Sequence, residues 1–433
     1  MSSGPGTRPT TNEWGGWFAD ARFGLFIHWG PYSASSLEPS WPLVGGTTVL
    51  PQCQSMSVVE YYERASTWAP PRGAPARWLE LASACGMEYA VLTTKHHDGF
   101  TLFPTAHSEL GIHTTAPGRD LVGEYVEAVR SAGLRLGFYF SLPDWHHPSY
   151  PAFTDEMRPY PMLGYPRPSP EAWDRFRSDQ IAQLDHLLTE YGTVDLLWFD
   201  GGWERTADEW HAAELEQFVR ERQPDIVVND RLPGVTSGYS SMLHEQTIPF
   251  DPPSVPFETC LTMDESWGPL DIDAGRKSAH ELLGIVADSA AAGGKVLLNV
   301  APDGNGGLLP WQRDRLEAIA SWMACHREAI LGTGPGLGAG HFYGPTTRRD
   351  DRVYLICPMR PVSNVTVRAV HGTRITAVRA LGTGAALDFE LRISAIDRIF
   401  GGEPVCDVVI HVPVEACDEQ VTVLEVTGAI TPG

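Results

Sequence analysis

The chain has 433 residues, which is too many for one small hydrophobic core and predicts one large domain with a smaller companion. Its composition, 42% hydrophobic and 20% charged, is typical of a soluble globular protein. A formal net charge of −22 argues against nucleic acid and against an anionic membrane as partners, so a neutral ligand is expected. No apolar stretch reaches the length of a membrane span, and residues 1–11 lack the apolar core of a signal peptide. These features predict a cytoplasmic protein, or a secreted one if a leader has been removed.

Seven apolar runs predict strands, and most of them are followed by an amphipathic helical pattern. Runs of this kind are typical of parallel sheets that helices cover on both faces. The strand runs span 21–29, 88–94, 134–141, 194–200, 225–228, 255–262 and 295–300, and the helical patterns span 76–85, 120–132, 170–191, 207–222 and 276–292. Because so many of the runs end in polar residues, the alternation favours a (β/α)8-like, TIM-type barrel over an open doubly wound sheet. No eighth strand is evident, which allows for an irregular barrel.

The pattern changes after a helix predicted from Trp311 to about residue 330. Short runs rich in Val and Ile at 352–357, 364–370, 375–381, 405–412 and 421–426 predict a small antiparallel β-sandwich. We therefore divide the chain into a barrel over 1–335, expected to be the catalytic part, and a C-terminal all-β sandwich over 340–433. Two long loops, 31–57 and 145–168, are predicted to form walls around the site.

Asp200 stands at the end of the apolar run 194–200, with Gly201 and Gly202 directly after it. Barrel enzymes place their chemistry at this C-terminal end of the strands, and glycines let the chain turn close to a substrate. A lone Asp here is more simply explained as a cap of the next helix. Trp198 precedes Asp200 by two residues, so both side chains are expected on the same side of the strand.

The predicted strand ends bring further polar and aromatic side chains to the same face, and these suggest two kinds of hydrolytic chemistry. Histidines with a carboxylate can hold zinc. Alternatively, two carboxylates can cleave a glycosidic bond while histidines bind hydroxyl groups. The candidate residues are His28, His96, His97, Tyr139, Trp198, Asp200, Arg231, Glu245, Glu258 and Trp267.

The metal hypothesis is the weaker of the two. His96 and His97 are adjacent, and adjacent side chains on an extended segment point to opposite sides. The chain also lacks an HxH pair, an HExxH helix and a CxxC pair. A metal-dependent hydrolase built on His28, His96, His97 and Asp200 stays as one alternative, and a non-catalytic sugar-binding barrel stays as another.

The glycosidase hypothesis needs an ionised nucleophile and a second carboxyl group that donates a proton. Asp200, at a rigid strand end, suits the first role. Glu245 lies in a loop, where access to solvent suits an acid that must later activate water, although on the sequence alone an exposed loop charge explains it better. Glu258 lies inside a predicted strand, where its fixed geometry suits a role in sugar binding.

Several segments, in this order along the chain, resemble the retaining α-L-fucosidases of glycoside hydrolase family 29. They are spread over most of residues 14–330, and six such segments in register are far more specific than one. The matching segments lie at 22–30 (RFGLFIHWG), 94–100 (TKHHDGF), 198–201 (WFDG), 228–231 (VNDR), 258–260 with 266–268 (ETC, SWG) and 293–304 (GGKVLLNVAPDG).

The resemblance implies a catalytic barrel followed by a β-sandwich, and a double displacement without metal or organic cofactor. It implies Asp200 as the nucleophile and Glu245 as the general acid/base, with Glu258 as the second candidate for the acid. The implied substrate is a fucosylated oligosaccharide or glycoconjugate. The positions that match fucose-binding residues are His28, His96, His97, Tyr139, Trp198 and Arg231.

One segment departs from the family pattern, in which a Glu-Trp pair follows the first strand and its Glu binds a sugar hydroxyl. Here the sequence reads Glu38-Pro39-Ser40-Trp41-Pro42. Trp41 is expected to take the aromatic role, while Glu38 or Ser40 would have to replace the carboxylate. Trp267, followed by Gly-Pro, is expected on the side of the leaving group.

Overall fold

Two β-sheets, one parallel and one antiparallel, make up the fold of the computed structural model. The structure describes residues 16–44, 55–234, 239–241, 244–253, 255–270, 275–400 and 404–433. Residues 1–15, on which the expectation about a leader rests, lie outside this part of the chain, as do residues 45–54 of the first long loop.

The N-terminal sheet is parallel and has seven strands, as predicted. Apart from Arg135, the exposed first residue of the third strand, every strand is buried along its whole length, because helices cover the outer face and side chains fill the interior. The strands are β1 Phe23–Ile27, β2 Tyr89–Lys95, β3 Arg135–Ser141, β4 Leu196–Asp200, β5 Val227–Val228, β6 Glu258–Leu261 and β7 Lys295–Val300.

The strand order, β5-β4-β3-β2-β1-β7-β6, is that of a barrel in which the last strands return to the first. Among the described residues, β5 and β6 are not paired with each other. The place between them is taken by residues 239–241, where Ser240 makes a single parallel bridge to Phe257. The predicted (β/α)8-like barrel is therefore confirmed, and its irregularity lies at this eighth position.

Each predicted helical pattern of the barrel domain corresponds to a helix, except that the pattern 207–222 is divided into two helices at His211, whose backbone is left-handed. Asp120 caps the helix Leu121–Ser131 by accepting a hydrogen bond from the Gly123 amide, and Pro170 begins the helix Pro170–Thr189 behind the Ser169 cap. No helix in the described ranges is long and apolar enough to cross a bilayer. The helices are α1 Gly16–Asp20, α2 Val58–Ala65, α3 Ala74–Ala84, α4 Ile112–Thr115, α5 Leu121–Ser131, α6 Pro170–Thr189, α7 Ala207–Trp210, α8 Ala212–Arg222, α9 Ala279–Ala291 and α10 Pro310–His326.

The C-terminal domain is an antiparallel all-β unit, as predicted, with its own apolar core. Hydrogen bonds join all its strands into one sheet, because the long strand Ser363–Ala380 pairs with Cys406–Val412 through its first half and with Thr422–Pro432 through its second. Two predicted strands thus form one, which is interrupted by register shifts. The elements are β8 Gly334–Pro335, β9 Thr346–Arg349, β10 Arg352–Cys357, β11 Ser363–Ala380, β12 Phe389–Ile393, α11 Ala395–Phe400, β13 Cys406–Val412 and β14 Thr422–Pro432.

Candidate active site

A pocket opens at the C-terminal ends of the barrel strands. It brings together every predicted site residue except Glu258, and it adds Phe26 and Trp203. Its lining consists of Phe26, His28, Trp41, His96, His97, Tyr139, Trp198, Asp200, Trp203, Arg231, Glu245 and Trp267.

Asp200 ends strand β4 and is 8% exposed. Its carboxylate accepts hydrogen bonds from the Tyr139 hydroxyl at 2.9 Å and from Arg231 Nη1 at 3.1 Å, and His97 Nε2 lies 3.7 Å away. Burial favours the neutral acid, but Arg231, His97 and the Tyr139 hydrogen bond outweigh it and lower the pKa of Asp200. The side chain is thus ionised and rigidly held, as a nucleophile needs to be.

Glu245 binds the same Arg231 guanidinium that binds Asp200. Its Oε2 accepts a hydrogen bond from Arg231 Nη2 at 2.7 Å, while Nη1 of that arginine binds Asp200. The Glu245 side chain is 40% exposed, in contrast to 11% for Asp200. One cation therefore bridges two carboxylates, one buried at a strand end and the other in a solvent-facing loop.

Glu258 lies outside the pocket. It is the first residue of β6, fully buried in the barrel interior, where it accepts hydrogen bonds from the Tyr89 hydroxyl at 2.6 Å and from Trp198 Nε1 at 2.8 Å. Burial raises its pKa despite these two donors. The geometry makes Glu258 a support for the Trp198 indole, over whose ring Arg231 lies at 4.4 Å.

His96 and His97 both face the pocket, so the prediction that they point to opposite sides is wrong. Strand β2 ends at Lys95, and a turn closed by the Gly99 amide and the His96 carbonyl follows. The two rings therefore lie on one side, with centroids 4.3 Å apart. Nδ1 of His96 contacts Ser40 Oγ at 2.6 Å, and Nδ1 of His97 contacts Ser141 Oγ at 2.7 Å. These two contacts use Nδ1 of each ring and not Nε2.

This arrangement allows His96, His97 and Asp200 to place one ligand atom each within 4.8 Å of the others, as a metal site requires. The Asp200 carboxylate is already bound by a guanidinium and a hydroxyl, however. A divalent cation at this point would face the positive charge of Arg231 at close range. The cluster is better suited to a neutral ligand with hydroxyl groups.

The site histidines are held neutral by burial. Burial lowers the pKa of His28 and of His97 to about 4. The contact with Asn299 at 2.7 Å raises the pKa of His28, and the Asp200 carboxylate raises that of His97, but burial outweighs both. A neutral imidazole offers one donor and one acceptor, which suits a sugar hydroxyl.

Stability at acid pH should depend on His28. Because its pKa is about 4 in the folded protein and about 6.5 in the unfolded chain, the unfolded chain takes up the proton first as the pH falls. His28→Asn removes this linkage, so the variant should lose about 2 kcal/mol less stability than the wild type between pH 7 and pH 5. Urea unfolding at the two pH values measures this difference, and parallel pH dependences would contradict it.

Neither Glu38 nor Ser40 lines the pocket, so neither side chain is placed to bind a sugar hydroxyl there. Glu38 is 2% exposed and accepts hydrogen bonds from the Ser266 hydroxyl and from the Trp267 amide, the latter at 2.9 Å. Burial raises its pKa to about 7. Glu38 therefore holds the loop that presents Trp267 to the pocket, while Ser40 orients His96.

Trp203 and Phe26 were missed in the sequence. Phe26 is on β1 and lies two residues before His28, which directly follows the strand. The alternation of side chains along a strand could therefore have identified Phe26. Trp203 follows the turn after Asp200, within a short 3₁₀ helix, Gly202–Glu204. Its position just beyond a barrel strand was the available signal.

Comparisons with known proteins agree with this geometry. A sequence profile described as "Alpha-L-fucosidase" matches residues 7–328. The tissue alpha-L-fucosidase of Mus musculus is 31% identical over 339 residues, which cover 74% of this chain and 72% of that protein. An alpha-L-fucosidase of Branchiostoma floridae is 27% identical over 404 residues, covering 86% of this chain and 85% of that protein.

Solved structures extend the similarity to the second domain. Alpha-L-fucosidase isoenzyme 1 from Paenibacillus thiaminolyticus superposes with a TM-score of 0.82 at 30% identity, covering 96% of this chain and 98% of that one. The Thermotoga maritima alpha-fucosidase in complex with a mechanism-based inhibitor superposes with a TM-score of 0.73 at 26% identity, covering 96% and 97%.

The matching family, together with a barrel that has two carboxylates at its mouth, shows that the protein is a glycoside hydrolase. The chain belongs to the α-L-fucosidase family.

Proposed function

We propose that this chain removes terminal α-linked L-fucose from oligosaccharides or glycoconjugates by a retaining double displacement, with Asp200 as nucleophile and Glu245 as acid/base. The observation that carries the assignment is the single Arg231 guanidinium that binds both carboxylates. A buried, ionised Asp and a solvent-accessible Glu on one cation have the asymmetry that the two roles require.

In the first step, an Asp200 oxygen attacks the anomeric carbon of the sugar. The bond from that carbon to the leaving oxygen breaks, and Glu245 donates its proton to this oxygen. In the second step, Glu245 removes a proton from water, the water oxygen attacks the anomeric carbon, and the bond to Asp200 breaks. Two inversions return the sugar to its original configuration.

The rest of the pocket is suited to one terminal sugar. Phe26 and the Trp198 ring give it an apolar floor, which suits the C5 methyl group of a deoxy sugar. The neutral His28, His96 and His97 can bind hydroxyl groups. The similarity to α-L-fucosidases supports an exo-acting enzyme over one that cuts within a chain.

A screen of fucosylated oligosaccharides with α1,2, α1,3, α1,4 and α1,6 linkages, followed by proton NMR during the reaction, tests the proposal. Fucose should be released and should appear first as the α anomer, before mutarotation. First appearance of the β anomer would overturn the retaining mechanism, and release of no fucose from any linkage would overturn the proposed substrate class.

A further inference from the structure

Another buried carboxylate lies four residues after Asp200. Glu204 is fully buried at the end of the short 3₁₀ helix that carries Trp203. It does not line the pocket, and the chemistry above makes no use of it. A carboxylate without solvent is costly unless its oxygens are well satisfied.

Three aromatic side chains of one loop donate hydrogen bonds to Glu204. Trp145 Nε1 donates to Oε1 at 2.9 Å, and the hydroxyls of Tyr160 and Tyr150 donate to Oε1 and Oε2. These residues belong to the long loop 145–168 that was predicted as a wall of the site. The Glu204 carboxylate therefore holds this loop in place through three hydrogen bonds.

The aromatic side chains that bind Glu204 also contact two residues that line the pocket. The Tyr160 hydroxyl, which donates to Glu204, accepts a hydrogen bond from Trp203 Nε1 at 3.1 Å. Trp41 packs edge-on against both Trp145 and Tyr160, with ring centroids 5.8 Å apart in each pair. Trp41 and Trp203 are partly exposed and line the pocket, and each also lies edge-on to the His97 ring.

We propose that Glu204 is a positioning residue that, through Tyr160, fixes the indoles of Trp203 and Trp41 where they contact the bound fucoside. Indole rings bind the C–H faces of sugars only when they are held at a set position, and an indole on a loose loop loses affinity to conformational entropy. The inference rests on the proposed function for the identity of the ligand. Asp200 and Glu245 act in bond cleavage, whereas Glu204 would act in binding.

Tyr160→Phe is the sharpest test, because it removes only the hydroxyl between Glu204 and Trp203. We expect KM for an aryl α-L-fucoside to rise about ten-fold and kcat to change less than about three-fold, since Asp200 and Glu245 are untouched. Tyr165→Phe is the matched control. Its hydroxyl, from a buried tyrosine of the same loop, donates to the Pro151 carbonyl at 2.9 Å, so its loss should leave KM within about two-fold of the wild type.

A double-mutant cycle separates positioning from general damage to the fold. In a Trp203→Phe background, which lacks the indole N–H, the further change Tyr160→Phe should raise KM about three-fold or less, because only its effect through Trp41 remains. Glu204→Gln should follow the same pattern, because its amide cannot accept from all three donors. Equal effects of the two tyrosine variants, or effects of Tyr160 and Trp203 that multiply independently, would overturn the role of Glu204. Either result would leave the proposed chemistry at Asp200 intact, since azide rescue of Asp200→Ala tests that chemistry separately.

Discussion

Asp200→Ala should reduce kcat by a factor on the order of 10⁴ or more while the protein stays folded. The variant loses the only carboxylate in the described pocket that is both buried and held by Arg231 and Tyr139. Azide should restore activity, because it fits the vacated space and attacks the anomeric carbon from the same side. One inversion then gives β-L-fucosyl azide, which NMR identifies.

Asp195→Asn is the matched control for this prediction. Asp195 lies just before the same strand, at the opposite end, where it binds Arg135 and the Leu136 amide. Its kcat should stay within about two-fold of the wild type, as for most surface changes away from a site. An Asp200→Ala variant with wild-type kcat would reject the assignment of the nucleophile.

Glu245→Ala should reduce kcat by about 10²- to 10⁴-fold on substrates with a poor leaving group, which need a proton in the first step. A dinitrophenyl fucoside needs no such proton, so its first step should stay fast and the fucosyl-enzyme should accumulate. Azide attacks that intermediate without base assistance, and the product should be α-L-fucosyl azide. The opposite configurations of the two azide products distinguish the two carboxylates.

Glu258→Gln distinguishes this account from the alternative that Glu258 is the acid. The structure predicts that Glu258→Gln lowers the free energy of unfolding, because it disturbs the buried contacts with Tyr89 and Trp198. It should give no azide product from a dinitrophenyl substrate. Rescue by azide in Glu258→Gln, and none in Glu245→Ala, would reverse the assignment.

Much of the barrel could be predicted because its strands are buried on both faces and therefore appear as continuous apolar runs. The C-terminal strands were harder to delimit. Residues 364–370 and 375–381 resemble two strands around a glycine turn, yet β11 continues through Gly372 with register shifts. Glycine is common both in β-bulges and in turns, so the sequence alone does not distinguish them. The strand that pairs with the segment determines which of the two forms.

The strand-end carboxylate and most of the pocket lining could also be predicted, since parallel strands deliver their C-terminal residues to one face. Two features depended on information that no local pattern contains. Glu258 is in the middle of an apolar run, but the strand begins at that residue, so its carboxylate lies deep in the barrel. Glu38 contacts Trp267, more than 200 residues away, and only the tertiary fold brings these two residues together.

The central claim, that Asp200 forms a bond to the sugar, can be tested by trapping that bond. A 2-deoxy-2-fluoro-fucosyl fluoride should react once and then hydrolyse slowly, because the fluorine at C2 destabilises the positive charge that develops in both steps. Mass spectrometry of the digested protein should locate the added fluorofucosyl group on Asp200. A label on Glu245, on a histidine of the pocket or on no residue of the inactivated enzyme would contradict the account.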